Sequence, residues 1–307
     1  MTELTMSVAA AEFGRDMEAC YATIAGLIEQ AHARGSRLLV LPEACLGGYL
    51  PSLGGGAESD EAKQRRLRSL PPALTLDGPE LRRIAAMAGD LVITLGFCEA
   101  DGDVRYNAAV TLHGDGILGS YRKVHQPLGE NLCYAAGSEY QAFDTPVGRM
   151  GMQICYDKAF PEAARALALD GAEIITSLSA WPTARTATAE RLEDDRWTQR
   201  FDIYDRARAL ENQVVWIAAN QAGTFGSLRF VCSAKIVGPG GEILATTGTE
   251  AGLATVTVDV DHVLELARGG GMYNLGDRRP ELYNRVVARH GVVGQPGVPE
   301  QLAAAHA

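Results

Sequence analysis

Three residues with different chemistries each follow a strand-like apolar run. Glu43 comes just past Leu38-Leu39-Val40-Leu41-Pro42. Lys123 follows Ile117-Leu118 and the polar patch from Gly119 to Arg122, and Cys155 ends the run from Gly148 to Ile154. Glu43 and Lys123 lie 80 residues apart, and Lys123 and Cys155 lie 32 apart. Together they supply a base, a cation that can steady developing negative charge, and a nucleophile, which are the parts of covalent catalysis. Each stands where a strand ends, and ligands of α/β sheets tend to bind at the carboxyl ends of the strands. A free cysteine by itself is more often a small buried hydrophobe. The other two stretches turn Cys155 from packing toward chemistry.

The surrounding motifs are Leu-Pro-Glu43 followed by Gly-Gly-Tyr49, then Tyr-Arg-Lys123-Val-His, then Ile-Cys155-Tyr-Asp-Lys-Ala-Phe-Pro-Glu. Flanking them are Tyr106-Asn107, Gly171-Ala172-Glu173-Ile174, Arg206 to Asn212 and Asp277 to Tyr283. In these motifs and their order, over nearly its whole length, the chain resembles the nitrilase-like carbon–nitrogen hydrolase superfamily. The resemblance implies a four-layer αββα sandwich in a single domain spanning residues 1–307, with a C-terminal tail from about residue 269. It also implies association into a homodimer or larger homo-oligomer. It assigns Cys155 as nucleophile, Glu43 as base and Lys123 as stabiliser of the oxyanion together with a backbone N–H, that of Tyr156. A free thiol titrates near ~8.5, so it needs such a base at neutral pH. Glu130, in the loop where the family carries a second glutamate, is the fourth catalytic candidate, and Glu139, beyond Gly137, competes with it.

True nitrilases of the superfamily often have tryptophan then glutamate after the nucleophile. Tyr156-Asp157 here is similar to the amidase and carbamoylase branches, which implies hydrolysis of a small amide or N-carbamoyl compound with release of ammonia and no cofactor. A nitrilase is the enzyme alternative. A non-catalytic assembly protein would be marked by loss of a catalytic residue, and Glu43, Lys123 and Cys155 are all present. A thiol redox protein is disfavoured by the absence of CxxC. Tyr49, Tyr134, Tyr156 and Trp181 are candidates for lining the substrate pocket, with plain packing as the ordinary alternative. Lys158 could meet a substrate carboxylate or simply be solvated. Asp157 reads as a cap or hydrogen-bonding anchor, Glu162 and Arg165 as an i,i+3 helix pair, and His125 and Arg122 as structural neighbours.

The elements that must position these residues alternate between strand and helix, an α/β pattern. Thr5 to Ala11 predicts a strand. Asp16 predicts a helix cap, and Met17 to Ala31 recur at helical spacing. Arg37 to Leu41 then delivers Glu43. The glycine-rich segment from Gly47 to Ser59 lacks the lysine of a phosphate-binding loop and predicts a flexible loop near the site entrance. Glu61 to Leu70 predicts a short helix whose basic residues Lys63, Arg65, Arg66 and Arg68 form a solvated face. Further helices are expected over Pro79–Ala88, Pro161–Asp170, Glu190–Glu211 and Val263–Arg268. Strands are expected over Leu91–Phe97, Asn107–Leu112, Ile117–Tyr121, Ile174–Leu178, Val214–Ala219 and Leu253–Val258. Gly238-Pro239-Gly240-Gly241 marks a hairpin between Ala234–Val237 and Glu242–Ala245. The tail should pack on a neighbouring surface or subunit, with a disordered end.

Composition bounds the rest. The 307 residues are 47% hydrophobic and 21% charged, with a net charge of −10. Such an acidic chain argues against a nucleic-acid partner, whose phosphates call for Lys and Arg. The six cysteines, Cys20, Cys45, Cys98, Cys133, Cys155 and Cys232, show no metal-ligand spacing and suit a reducing cytoplasm. The first ten residues lack the pattern of a secretory signal, and no apolar run is long enough to span a bilayer.

Overall fold

The computed structural model describes residues 3–54 and 59–283, apart from the side chains at positions 62, 63, 65 and 66. The chain opens with β1 (Glu3–Ala11), α1 (Met17–Ala33) and β2 (Leu38–Val40). Next come α2 (Asp60–Arg68), α3 (Pro79–Ala88) and the antiparallel run β3 (Val92–Asp101), β4 (Val104–His113) and β5 (Gly116–Arg122). The second half holds β6 (Phe143–Thr145), β7 (Gly148–Ile154), α4 (Pro161–Leu169), β8 (Ile174–Ser179), α5 (Arg196–Asn212) and β9 (Val215–Gln221). A small hairpin, β10 (Thr224–Phe225) and β11 (Leu228–Arg229), precedes β12 (Lys235–Val237), β13 (Ile243–Thr246), β14 (Gly252–Asp259) and α6 (Val260–Gly269).

Strand pairing runs in the order β5-β4-β3-β2-β1-β9-β8-β7-β6, with β14 added to β1 and β12 and β13 added beside β9. The path folds back on itself, so that the Thr111 hydroxyl on β4 meets the Met152 sulfur on β7 at 3.3 Å. Side-chain alternation explains why. Leu4, Met6, Val8 and Ala10 of β1 share one core with Met152 and Ile154 of β7 and Ile174 of β8. The intervening Ala9 and Ala11 join Ile24 and Ile28 of α1 and Leu81 and Ile84 of α3 in a second core. On the far side α4 and α5 cover β7 to β9. There Gly151 lies so close to α4 that a Cβ would come within 2.9 Å of the Leu167 side chain. The layers are helix, sheet, sheet, helix, the αββα sandwich expected from the sequence.

The expected elements are found, with shifted ends. Asp16 caps α1, accepting the N–H groups of Glu18 and Ala19. The helix expected from Glu190 begins instead at Arg196, because Asp195 caps it at the Trp197 N–H while Leu192–Asp194 close a separate 3₁₀ turn. The glycine-rich hairpin is present as the antiparallel pair β12–β13. The strands β6, β10 and β11, of two or three residues, were not expected; such lengths carry no readable alternation. The start of the tail is tied to the end of α5. The Gln213 amide donates to the carbonyls of Ala267 and Met272 and accepts the Asn274 N–H. The end of the tail, the side chains of Lys63, Arg65 and Arg66, and Gly55 and Gly56 lie outside the described residues. Among the described residues no helix is long and apolar enough to cross a membrane.

Candidate active site

Each chemically able side chain is delivered by a strand end with a specific local support. After β2, the turn bearing Glu43 rests on β3 at Gly96. The Gly96 N–H donates to the Pro42 carbonyl at 3.2 Å, and the Leu46 N–H donates to the Gly96 carbonyl at 3.3 Å. A Cβ on residue 96 would lie 2.5 Å from the Ala44 nitrogen, so only glycine admits this approach. Lys123 leaves β5 with its N–H donating to the Asn107 carbonyl at 2.8 Å. Glu130 opens a 3₁₀ turn, Glu130–Leu132, inside the loop that follows.

Cys155 stands at the abrupt change from β7 to the 3₁₀ turn Cys155–Ala159, with φ of 50°, a left-handed conformation uncommon for a residue with a side chain. Asp157, fully buried two residues on, holds the turn in place. Its carboxylate accepts the Ile154 N–H at 3.1 Å, the Tyr121 hydroxyl at 2.6 Å and the His125 N–H at 2.8 Å. Asp157 is therefore the anchor its position suggested. His125 stacks on Phe160, with ring centroids 3.6 Å apart, and Arg122 pairs with Glu99 and Asp101 away from the site.

Glu43, Lys123 and Glu130 meet in one fully buried cluster. The Lys123 ammonium donates to Glu43 Oε1 at 2.8 Å and lies 2.7 Å from Glu130 Oε2. Asn107 Nδ2 bridges the two carboxylates, at 2.6 Å from Glu43 Oε1 and 2.7 Å from Glu130 Oε1. The Tyr49 hydroxyl donates to Glu130 at 3.1 Å, and the Ala180 N–H donates to Glu43 Oε2. Burial opposes charge on Lys123, but Glu130 and Glu43 outweigh it and hold the ammonium above the ordinary lysine range. Burial, reinforced by Glu43, pushes the Glu130 carboxyl up while Lys123 pulls it down, and the net direction is upward. Burial and then Glu43 push the Cys155 thiol well above the ordinary cysteine range, against the pull of Lys123. The resting thiol is accordingly held toward its protonated form.

Cys155 is only 4% exposed but reaches a cavity of about 510 Å³. Tyr49, Tyr156 and Trp181 line it, together with Leu53, Gln126, Pro127, Leu128, Asn131, Ala180, Pro182, Trp197 and Arg200. Tyr134 does not line it; it is buried behind the wall, packed in one cluster with Tyr49, Leu53 and Ala180. Lys158 departs from both of its expected fates, being neither a reader of a substrate carboxylate nor solvated. It is fully buried, donating to Asp205 Oδ1 at 2.6 Å and lying 3.5 Å from the centre of the Phe201 ring. Lys235 reaches the other oxygen of Asp205 at 2.9 Å. The i,i+3 spacing of Glu162 and Arg165 does not yield an ion pair, because Arg165 turns to the Glu211 carbonyl at 2.6 Å.

Sequence reasoning missed Asn107, the Ala180 N–H, Asp205, Trp197 and Arg200. Asn107 does fall in one of the motif-like segments. Trp197 and Arg200 are spaced i,i+3 and already shared a face of the helix expected from Glu190; what the sequence did not show is that this face lines the cavity.

The chain belongs to the carbon-nitrogen hydrolase family, whose sequence profile it matches over residues 7–268. It is 32% identical to a probable nitrilase of Schizosaccharomyces pombe, over 69% of this chain and 76% of that one. It is 30% identical to the N-carbamoylputrescine amidase of Solanum tuberosum, over 93% of this chain and 96% of the relative. Among solved structures, the carbon-nitrogen hydrolase of Helicobacter pylori superposes with a TM-score of 0.76 at 25% identity, over 93% of this chain and 98% of that one. The protein is thus an enzyme of the carbon–nitrogen hydrolase class.

Proposed function

We propose that the protein hydrolyses a non-peptide C–N bond of a small amide or N-carbamoyl compound through an acyl thioester on Cys155. The observation that carries this is that the Cys155 thiol lines the cavity while Glu43, Lys123 and Glu130 form one buried cluster whose charges act on it. Glu43 takes the thiol proton as sulfur attacks the carbonyl carbon. Lys123 and the Tyr156 N–H meet the charge that grows on oxygen. Glu43 returns the proton to the departing nitrogen, and ammonia leaves. Glu43 then takes a proton from water, which attacks the thioester; the acid leaves and Cys155 regains its proton. With an N-carbamoyl substrate the products are amine, carbon dioxide and ammonia. Glu130 holds Lys123 in position and, with Asn107 and Tyr49, fixes the geometry of the cluster.

Nitrile hydrolysis is the second reading, favoured by the relative named as a probable nitrilase. Ammonia release from matched amides, N-carbamoyl compounds and nitriles distinguishes the two. Turnover should be confined to the first two classes, fall by at least about a thousandfold in Cys155→Ser and persist in Cys133→Ser. Release that survives Cys155→Ser would sink the covalent mechanism, and release from nitriles alone would move the assignment to the second reading.

A further inference from the structure

The cavity wall carries a charge pattern that the proposed reaction does not use. Above the buried cluster its polar groups are neutral, the amides of Gln126 and Asn131, and its bulk is aromatic. Among the described residues no carboxylate lines the wall, and the one side chain that lines it with a full charge is Arg200. Arg200 is exposed, one helical turn beyond Trp197 on α5, and both residues face the cavity. Trp197 is fixed there edge-on to Trp181, with centroids 6.3 Å apart. The cavity therefore runs from a thiol on its floor to a guanidinium at the surface.

The neighbouring charges are already engaged. Arg185 donates to the Leu53 carbonyl at 3.0 Å, Arg196 to the Thr186 hydroxyl at 2.8 Å, and Arg191 pairs with Glu193 and Asp194. Asp195 is buried, accepting the N–H groups of Ala184 and Trp197. Arg200 makes no ion pair or side-chain hydrogen bond among the described residues.

We infer that Arg200 reads a carboxylate at the end of the substrate remote from the scissile bond, so that the physiological substrate is an anionic amide or N-carbamoyl acid. This rests on the hydrolase reading above. A guanidinium offers a carboxylate two parallel N–H donors. A tail ending in an ammonium would meet only a like charge at the same place, which costs affinity and selects against that class.

The test uses the full chain carrying Cys155→Ala, in which binding is read without turnover. Three amides of matched length are titrated by calorimetry at low salt: glutaramate, pentanamide and 4-aminobutanamide, ending in carboxylate, methyl and ammonium. Glutaramate should bind roughly tenfold more tightly than pentanamide, a difference typical of one charge-assisted contact, and 4-aminobutanamide should bind most weakly. Adding Arg200→Gln should erase the advantage of the carboxylate, while Arg200→Lys, which keeps charge but loses the fork, should retain part of it. With Cys155 intact, the loss in Arg200→Gln should fall on KM for glutaramate more than on kcat. No advantage of glutaramate over pentanamide, an advantage that survives Arg200→Gln, or binding of none of the three overturns the inference. Carboxylate-selective binding without any turnover in the intact enzyme would instead refute the hydrolase reading and leave the anion subsite standing.

Discussion

At the scale of single residues, what distinguishes this site is how completely its charges are enclosed. Glu43, Lys123 and Glu130 have no solvent to share the charge, so each depends on the others and on Asn107. The same holds one layer further out, where Asp205 stands between two buried ammonium groups and also accepts the Trp216 indole N–H at 2.9 Å. Breaking a buried ion pair on one side leaves the other charge uncompensated, at about 3–5 kcal/mol. Asp205→Asn should cost a comparable amount in urea unfolding, and a loss under about 1 kcal/mol would mean that Lys158 and Lys235 find other partners. Glu43, Lys123 and Cys155 were legible in the sequence as candidates because their neighbours form recognisable motifs; the roles given to them are those proposed above. Lys158 was misread because a lysine three residues past Cys155 looks solvated or functional until Asp205, 47 residues on, is seen against it. The Ala180 N–H was beyond reach for a different reason: a backbone donor carries no residue identity.

At the scale of elements, placement depends on close approaches that side chains would block. Gly96 lets the Glu43 turn lie directly on β3, and its N–H and carbonyl both bond to that turn. Gly96→Ala should therefore displace Glu43 relative to Lys123. Activity should fall at least about a hundredfold, as expected for a misplacement near 1 Å, while circular dichroism keeps its α/β signature. Activity within about twofold of the parent would show that the turn can rise without moving the carboxylate. The paired layers were legible only through the family resemblance; alternation gave the strands but not their stacking, and the structure shows it separating the residues facing the second sheet from those facing α1 and α3. The start of α5 was misjudged by six residues because Glu190 and the following charges suit a helix, whereas Asp195 supplies the actual cap.

At the scale of the molecule, one extended strand path collects groups from distant parts of the chain. Glu43 and Lys123 come from the β2–β5 half and Cys155 from the β7–β9 half, so the site exists only when the halves face each other. Burial on this scale also reaches the thiols. Cys20, Cys45, Cys98, Cys155 and Cys232 are all held above the ordinary cysteine range, with burial the largest cause in each. The folded state keeps these protons where the unfolded chain releases them. Their contribution is full below about pH 8.5 and is lost as pH rises toward the folded values, by up to ~1.4 kcal/mol per pH unit for each thiol. Urea midpoints measured in reductant should therefore fall steadily from about pH 8 to pH 10. A flat profile would mean that the buried thiols ionise as readily folded as unfolded.

The left-handed turn at Cys155 has a consequence for what evolution and engineering can reach. At φ of 50° a side chain is tolerated at a cost, and one branched at Cβ is tolerated least. Serine fits where cysteine fits, and glycine would fit better while being chemically inert. Threonine, with the same hydroxyl as serine, is disfavoured by the backbone rather than by its reactivity. The position thus admits a short menu of residues with a thiol or hydroxyl, and a lineage that lost this cysteine to glycine would relieve the backbone at that residue and have little thermodynamic incentive to return.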